Sequence, residues 1–214
     1  PDASYWMARS EQFIRSFHSR KTRLEFLRKL EQPKGSQGGF FSDMAQLIRK
    51  GYFWGITATK PAFINEREYR DFIYPLIPDI SIEETKIPFC CVATDIRNAK
   101  RVLYTSGSLR TAISASCSLP GIFPPIRDND MLLVDGGWVE RVPVRAARDM
   151  GADIVIGVDV SSTVELFDDK SGMDIVLRAD TVSRIYLNDL MAMDADVIIH
   201  PAVGGTHWAD FSKV

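Results

Sequence analysis

Strand patterns alternate with helix patterns along the second half of this 214-residue chain, and this alternation constrains the fold more than any other feature. IPFCCVATDI, which begins at Ile87, predicts a buried strand, and RVLYTS after a short polar turn predicts its hairpin partner. Further helices are predicted over residues 109–117, 144–150 and 173–193, and further strands over residues 131–134, 154–160 and 196–200. Such alternation predicts an α/β fold with a largely parallel sheet that helices cover.

The first 80 residues follow a different pattern. Apolar residues recur at helical spacing in the basic N-terminal segment, and the aromatic-rich stretch after it is typical of short helices. Asn65 is placed to cap a helix over EREYRDFIYPLI, and Pro75 limits that helix. We therefore predict that residues 1–80 form a helical, cap-like part and that residues 81–214 form the α/β part of the same domain.

Composition and charge exclude several classes of protein. The formal net charge of -2 supplies no positive field for phosphates, so nucleic acid is not expected as a partner. No run approaches the roughly 18 apolar residues of a membrane span, and the three cysteines lack the spacing of a disulfide framework or a zinc site. We expect a cytoplasmic protein that meets membranes peripherally if lipid is its substrate, and the oligomeric state is left open.

One predicted strand, LLVDGG, runs directly into a carboxylate and two glycines. In open α/β sheets, ligands bind beyond the carboxyl ends of the strands, and Asp135 falls at such an end. Gly136 and Gly137 carry no Cβ, so they allow a sharp turn and a close approach to the carboxylate. The alternative is that Asp135 only caps a turn or the next helix.

The sequence on both sides of this motif has a defined order. Upstream, ASCSLPGIFPPI combines small residues, which let a helix pack closely, with Pro120 and Gly121, which end that helix. Downstream, VPVRAARDMGADIVIGVDV has Pro143 near the start of a predicted helix and Gly151 after its end. A small-residue helix, a proline-rich loop, Asp-Gly-Gly and a helix-strand unit therefore follow one another.

In this block the chain resembles the patatin-like phospholipase family. The matching stretches are SLRTAISASCSLPGIFPPI and LLVDGGWVERVPVRAARDMGADIVIGVDV, and the match is strongest over about residues 87–160. The resemblance implies a three-layer α/β/α sandwich and hydrolysis of acyl esters in phospholipids, lysophospholipids or acylglycerols. It also implies a Ser-Asp dyad that requires neither a metal nor another cofactor.

Carried over to this sequence, the dyad aspartate is Asp135, and Gly136 and Gly137 form the turn that supports it. The resemblance implies that Asp135 accepts the serine proton and orients the hydroxyl for attack on the ester carbonyl, which is how a weak hydroxyl nucleophile is activated. A non-catalytic α/β protein that keeps the fold for lipid binding or protein interaction remains the alternative.

The serine of such a dyad is missing from its expected motif. No Gly-x-Ser-x-Gly occurs in the 214 residues, and neither does the glycine-rich loop whose amides stabilise an oxyanion. GSQGG at residues 35–39 has its serine at the wrong spacing, and Ser106 and Ser108 are expected to cap a helix. We expect the missing motifs and N-terminal strands of the sheet to lie upstream of Pro1, and the isolated chain to be inactive.

Several other residues are candidates for a functional site. Asp95 and Asp159 end predicted strands and would border the same rim as Asp135 if the sheet is parallel, although capping is the favoured role for each. Cys117 comes late in its helix, which favours buried packing over nucleophilic chemistry. The three histidines lack the short spacing of a metal motif; they are His18, His200 and His207. The aromatic residues of the cap-like part fit core packing or lipid contact; they are Phe40, Phe41, Tyr52, Phe53 and Trp54.

Overall fold

The structure is a computed structural model that describes residues 51–161 and 171–202. It contains both helices and strands, which is the mixed α and β content that the sequence predicts. The described residues divide into two compact units. The first unit contains residues 51–78 and 119–125, and the second unit contains residues 79–118, 126–161 and 171–202.

The first unit is helical. It contains a helix over residues 51–59 (α1), a helix over Glu66–Ile73 (α2) and a 3-10 turn over Tyr74–Leu76. Asn65 is the N-cap of α2, as predicted: its side chain accepts the N–H of Glu68 at 2.9 Å, and the Glu68 carboxylate accepts the N–H of Asn65 at 3.1 Å. Reciprocal capping satisfies two free backbone donors, and α2 ends before Pro75 as expected.

Aromatic side chains form the core of the first unit. The rings of Tyr69 and Phe123 stack with centroids 4.8 Å apart. Phe63 is buried, and its N–H donates to the carbonyl of Gly121 at 2.9 Å. Gly121 has a φ of 79°, which glycine adopts without a steric penalty, so the Pro-Gly pair turns the chain at this point.

The second unit is built on a four-stranded sheet with the order β2-β1-β4-β3. The strands are β1 (Cys91–Asp95), β2 (Lys100–Tyr104), β3 (Ile126–Asp128) and β4 (Met131–Asp135). Every residue of β1 is buried, as its apolar sequence predicts. β1 and β2 form the predicted hairpin, with Cys91 opposite Tyr104.

The prediction of a largely parallel sheet is wrong for this sheet, because all three pairs of neighbouring strands run antiparallel. Short connections are the cause for two of these pairs: residues 96–99 join β1 to β2, and residues 129–130 join β3 to β4, whereas a parallel pair needs a crossover of about a dozen residues. Strand β3 is not predicted by the sequence patterns. Asn129 in the β3-β4 turn has a φ of 51°, a left-handed conformation that asparagine tolerates.

A short helix, α3 (Leu109–Ser116), packs against β1 and β4. Ala115 on α3, Ala93 on β1 and Leu133 on β4 have no solvent exposure, so the predicted small-residue helix does pack closely. Ser108 is its N-cap and accepts the N–H of Thr111 at 3.3 Å, which confirms the capping role for Ser108 but not for Ser106.

The remaining elements are α4 (Val144–Asp149), β5 (Ile156–Val158), α5 (Gly172–Ala192) and β6 (Val197–Ile199). β5 and β6 are parallel, as expected for strands separated by a helix. Val142, Val144 and Val155 form a second apolar cluster between α4 and this strand pair. Within the part of the chain that the structure describes, no helix combines the length and apolar character needed to cross a membrane.

Candidate active site

Asp135 lies at the end of β4, where its backbone is held on both sides. Its N–H donates to the carbonyl of Ser118 at 2.9 Å, and its carbonyl accepts the hydroxyl of Thr94 at 2.8 Å. Thr94 lies on β1 opposite Val134. These two hydrogen bonds hold the Asp135 backbone at the point where the chain leaves the sheet, so the fold determines the position from which the Asp135 side chain extends.

The two carboxylate oxygens of Asp135 have different surroundings. Oδ1 accepts the N–H of Gly137 at 2.7 Å and so caps a 3-10 turn over Gly136–Trp138. Oδ2 accepts no hydrogen bond from any residue in the described parts of the chain. Burial raises the pKa of Asp135, while the Gly137 bond and the nearby charge of Arg141 lower it by less, so the net pKa is above the ordinary value.

The two glycines after Asp135 are required for different reasons. A Cβ on Gly136 would lie 2.1 Å from the carbonyl oxygen of Val92, which is fixed backbone of β1. A Cβ on Gly137 would meet only Asp135 Oδ1, at 2.9 Å. Gly136 therefore lets the turn pack against the sheet, and Gly137 leaves room for the carboxylate that its own N–H holds.

Asp95 does not share a rim with Asp135, in contrast to the expectation for a parallel sheet. β1 and β4 are antiparallel, so their carboxyl ends point in opposite directions, and Asp95 pairs with Leu133 while Asp135 pairs with Ala93, two positions away. Asp95 is buried and accepts hydrogen bonds from the side chain of Asn98 at 2.7 Å and from the N–H groups of Arg97 and Leu132. Burial raises the pKa of Asp95, but these bonds outweigh it and the net pKa is lowered. Asp95 is a turn cap.

Asp159 also lies outside the sheet that carries Asp135. It follows β5, which pairs with β6, and it lines a groove of about 910 Å³ to which Asp135 does not contribute. One of its oxygens accepts the N–H of Ser161 at 2.9 Å, and the other lies 3.6 Å from Nδ1 of His200. Burial raises the pKa of Asp159, but hydrogen bonds from Ser161 and the charges of His200 and Arg141 bring it below the ordinary value.

Cys117 is exposed, so the prediction of buried packing is wrong. The residue is the C-cap of α3, and the helix ends before a further turn could cover it. Although part of the residue is exposed, the protein atoms packed around the thiol and the negative charge of Asp135 raise the pKa of Cys117 to about 11. A thiol with this pKa is protonated at neutral pH and is a poor nucleophile.

The sequence patterns do not identify three residues that hold the Asp135 turn in place. Thr94 and Ser118 bond to the backbone of Asp135, and the N–H of Glu140 donates to the carbonyl of Gly136 at 2.9 Å. Thr94 and Ser118 are distant from Asp135 in sequence and carry no recognisable signal. Glu140 lies between Val139 and Arg141 in the stretch that follows the Asp-Gly-Gly motif, and a carboxylate next to a basic residue carries no recognisable signal either.

Several expectations fall on residues outside the described parts of the chain. They concern the GSQGG stretch, His18, His207, Phe40 and Phe41. Of the remaining aromatic residues, Tyr52 and Trp54 are 52% and 45% exposed, and Phe53 packs against Phe63 with ring centroids 5.5 Å apart. Among the described residues, no group of three or more His, Cys, Asp or Glu side chains is arranged to hold a metal ion.

The chain is similar in sequence to parts of several known proteins. Lysophospholipase NTE1 of Phaeosphaeria nodorum is 30% identical to the chain over 121 residues, which cover 55% of this chain and 8% of that protein. Patatin-like phospholipase domain-containing protein 7 of Mus musculus is 37% identical over 99 residues, which cover 45% and 7%. A patatin-like phospholipase domain-containing protein of Caenorhabditis elegans is 34% identical over 146 residues, which cover 65% and 11%.

The chain thus corresponds to a small part of each of these relatives. The family model for patatin-like phospholipases matches residues 6–148, a range that includes α2, the four-stranded sheet and the turn after Asp135. This match covers more than half of the 214 residues. The chain therefore belongs to the patatin-like phospholipase family.

Proposed function

We propose that the protein containing this chain is a serine acyl hydrolase that acts on lipid esters, with Asp135 as the proton acceptor of a Ser-Asp dyad. The substrates are phospholipids, lysophospholipids or acylglycerols. The observation that carries the proposal is the state of the Asp135 carboxylate: Gly137 holds one oxygen, while the other has no partner among the described residues. Such a carboxylate can accept a hydrogen bond, and then a proton, from a serine hydroxyl.

The chemistry follows from that open oxygen. As the serine oxygen attacks the ester carbonyl carbon, Asp135 accepts the hydroxyl proton and then gives it to the oxygen of the departing alcohol. Water attacks the acyl-serine in the same way, and the proton that Asp135 takes from it passes to the serine oxygen as the fatty acid leaves. Burial supports this role because the raised pKa makes Asp135 a stronger base.

We place the serine of this dyad outside the 214 residues. Within the chain, Ser108 caps α3, and Ser118 is buried with its hydroxyl donated to the carbonyl of Ser114 at 2.9 Å. Neither stands in a Gly-x-Ser-x-Gly turn. In the whole domain, we propose the three-layer α/β/α sandwich of the family, with residues 1–80 as its helical, cap-like part and residues 81–214 as its α/β part.

A serine-reactive fluorophosphonate probe tests the dyad in the whole protein. We expect the probe to label one serine in a Gly-x-Ser-x-Gly turn, as located by peptide mass spectrometry, and we expect Asp135→Asn to abolish the labelling. Ser108→Ala should leave the labelling intact. Absence of labelling in the folded whole protein would favour the alternative, a non-catalytic lipid-binding or interaction module.

We further propose that the protein is cytoplasmic and contacts membranes peripherally through Tyr52 and Trp54. The support is their exposure on α1, since aromatic rings with a polar edge are favoured at a membrane interface. Trp54→Ala should weaken sedimentation with liposomes, whereas Tyr186→Ala, which removes an exposed ring from α5, should not. Equal binding by both variants would remove Trp54 from the contact surface.

A further inference from the structure

Glu140 is a buried carboxylate that the dyad mechanism does not use. Its side chain has no solvent exposure, and both of its oxygens are hydrogen-bonded. Oε1 accepts the N–H of Arg145 at 2.7 Å and that of Ala146 at 3.1 Å, which are free donors at the start of α4. Oε2 accepts Nε–H of Arg101 on β2. One buried side chain thus connects α4 to an edge of the four-stranded sheet.

The backbone of Glu140 closes the turn that begins at Asp135. Its N–H donates to the carbonyl of Gly136 at 2.9 Å, and Gly137, the residue after Gly136, holds Asp135 Oδ1. The turn is therefore bounded on one side by β4 and on the other by a residue whose side chain cannot move without breaking three hydrogen bonds.

Arg101, the partner of Glu140 in the ion pair, is also connected to the Asp135 turn through the strands of the sheet. Arg101 on β2 lies opposite Thr94 on β1, and Thr94 lies opposite Val134 on β4. The hydroxyl of Thr94 donates to the carbonyl of Asp135 at 2.8 Å. Thr94, which holds the backbone of Asp135, and Arg101, which holds the side chain of Glu140, are therefore paired on neighbouring strands.

We infer that Glu140 is a positioning residue for Asp135, which holds the Asp-Gly-Gly turn so that the Gly137 N–H stays on Oδ1 and Oδ2 faces the serine hydroxyl. This inference rests on the proposed function. A glutamine at position 140 cannot accept all three donors, because its amide nitrogen would face either Arg101 Nε–H or the two N–H groups of α4. The turn is then free to move.

Movement of the turn should change the pKa of Asp135 in one direction. The Gly137 hydrogen bond lowers the pKa of Asp135, so its loss or lengthening lets burial raise that pKa further. Because the base must be ionised to act, the acid limb of the kcat/KM profile moves to higher pH. A role confined to global stability would lower the unfolding temperature without moving this limb.

Steady-state hydrolysis of a nitrophenyl acyl ester by the whole protein tests the inference. For Glu140→Gln we expect kcat to fall about tenfold or more with KM within about threefold, since orientation of the base acts in the transition state. The acid limb should also move up. The matched control is Asp149→Asn, which removes the other ion pair of Arg101, to a half-exposed carboxylate, and should leave kcat and the limb unchanged.

The outcomes separate the inference from the proposed function. A folded Glu140→Gln protein with unchanged kcat and acid limb overturns the inference. If Glu140→Gln does not fold, Arg101→Lys replaces it; this variant keeps the charge but loses the Nε geometry, and it should shift the limb in the same direction by a smaller amount. An unmoved limb in folded Arg101→Lys would also overturn the inference. Unchanged turnover in Asp135→Asn would instead refute the dyad, whatever Glu140 does.

Discussion

Asp135 and Asp159 arise from the same local sequence pattern, an apolar strand that ends in Val-Asp, yet their surroundings differ. Asp135 is partly buried, has one oxygen without a partner among the described residues, and has a raised pKa. Asp159 faces a groove, bonds to Ser161 and lies near His200, and its pKa is lowered. The first environment favours a base, and the second stabilises a permanent negative charge.

Asp95 shows that burial alone does not produce a base. It is more deeply buried than Asp135, but its oxygens are satisfied by Asn98, Arg97 and Leu132, and its pKa is lowered. The property that distinguishes Asp135 is burial combined with an oxygen that the fold leaves open. A carboxylate at a strand end is therefore a site candidate only when its neighbours leave it under-satisfied.

The largest expected difference between Asp135 and Asp159 is in the rate of ester hydrolysis when each is replaced by asparagine. For Asp135→Asn in the whole protein, we expect hydrolysis of a lysophospholipid to fall about 10²- to 10⁴-fold, because the amide cannot accept the serine proton. For Asp159→Asn we expect less than about a threefold change, because a partly exposed, hydrogen-bonded charge contributes little. Fatty-acid release under matched conditions measures both. Comparable losses in the two variants would mean that the comparison assigns the wrong role to Asp159.

Local sequence patterns predict much of the secondary structure because the responsible contacts are local. The Asn65 capping box joins residues three apart, and the β1-β2 hairpin closes over a short polar turn. The predicted position of Asp135 at a strand end is also confirmed. In each case the residues that decide the conformation are neighbours in the sequence.

The direction of the strands and the surroundings of the acidic side chains depend on contacts between residues far apart in the sequence, which the pattern of one segment does not reveal. β1 pairs with β4 through Ala93 and Asp135, and their antiparallel direction moves Asp95 away from the rim expected for it. The need for glycine at position 136 arises from the carbonyl of Val92, which belongs to another strand. The hydroxyl of Thr94 and the carboxylate of Glu140 likewise act only once the sheet is assembled.

The two glycines of the turn provide a smaller test, which separates folding from catalysis at adjacent positions. Gly136→Ala should destabilise the fold by at least about 3 kcal/mol, because the new Cβ would overlap fixed backbone of β1. Gly137→Ala should cost less than about 1 kcal/mol, because its Cβ meets only the end of the Asp135 side chain, which can rotate. That rotation should still lower turnover.

Urea unfolding and ester hydrolysis, measured on both variants, give the two readouts. Gly137→Ala should have an unfolding midpoint close to that of the wild type while kcat falls about tenfold, since Oδ1 leaves the Gly137 N–H. The distinction fails if Gly136→Ala is as stable as the wild type, or if Gly137→Ala has normal stability and normal kcat.

The pH dependence of stability should show the smallest effect, but with opposite signs for the two acids. The folded-state pKa of Asp135 is raised, so its contribution favours folding at low pH and is lost as pH rises through that pKa. The folded-state pKa of Asp159 is lowered, so its contribution is present at neutral pH and is lost as pH falls through that pKa.

Acidification from about pH 7 to about pH 4 should therefore cost Asp135→Asn more free energy of unfolding than it costs the wild type, and should cost Asp159→Asn less. Each difference should be below about 1 kcal/mol, because both carboxylates keep contact with solvent. Urea titrations at the two pH values measure the differences. Changes of the same sign would mean that the two strand ends do not differ electrostatically, and the assignment of Asp135 as the base would then rest on its open oxygen alone.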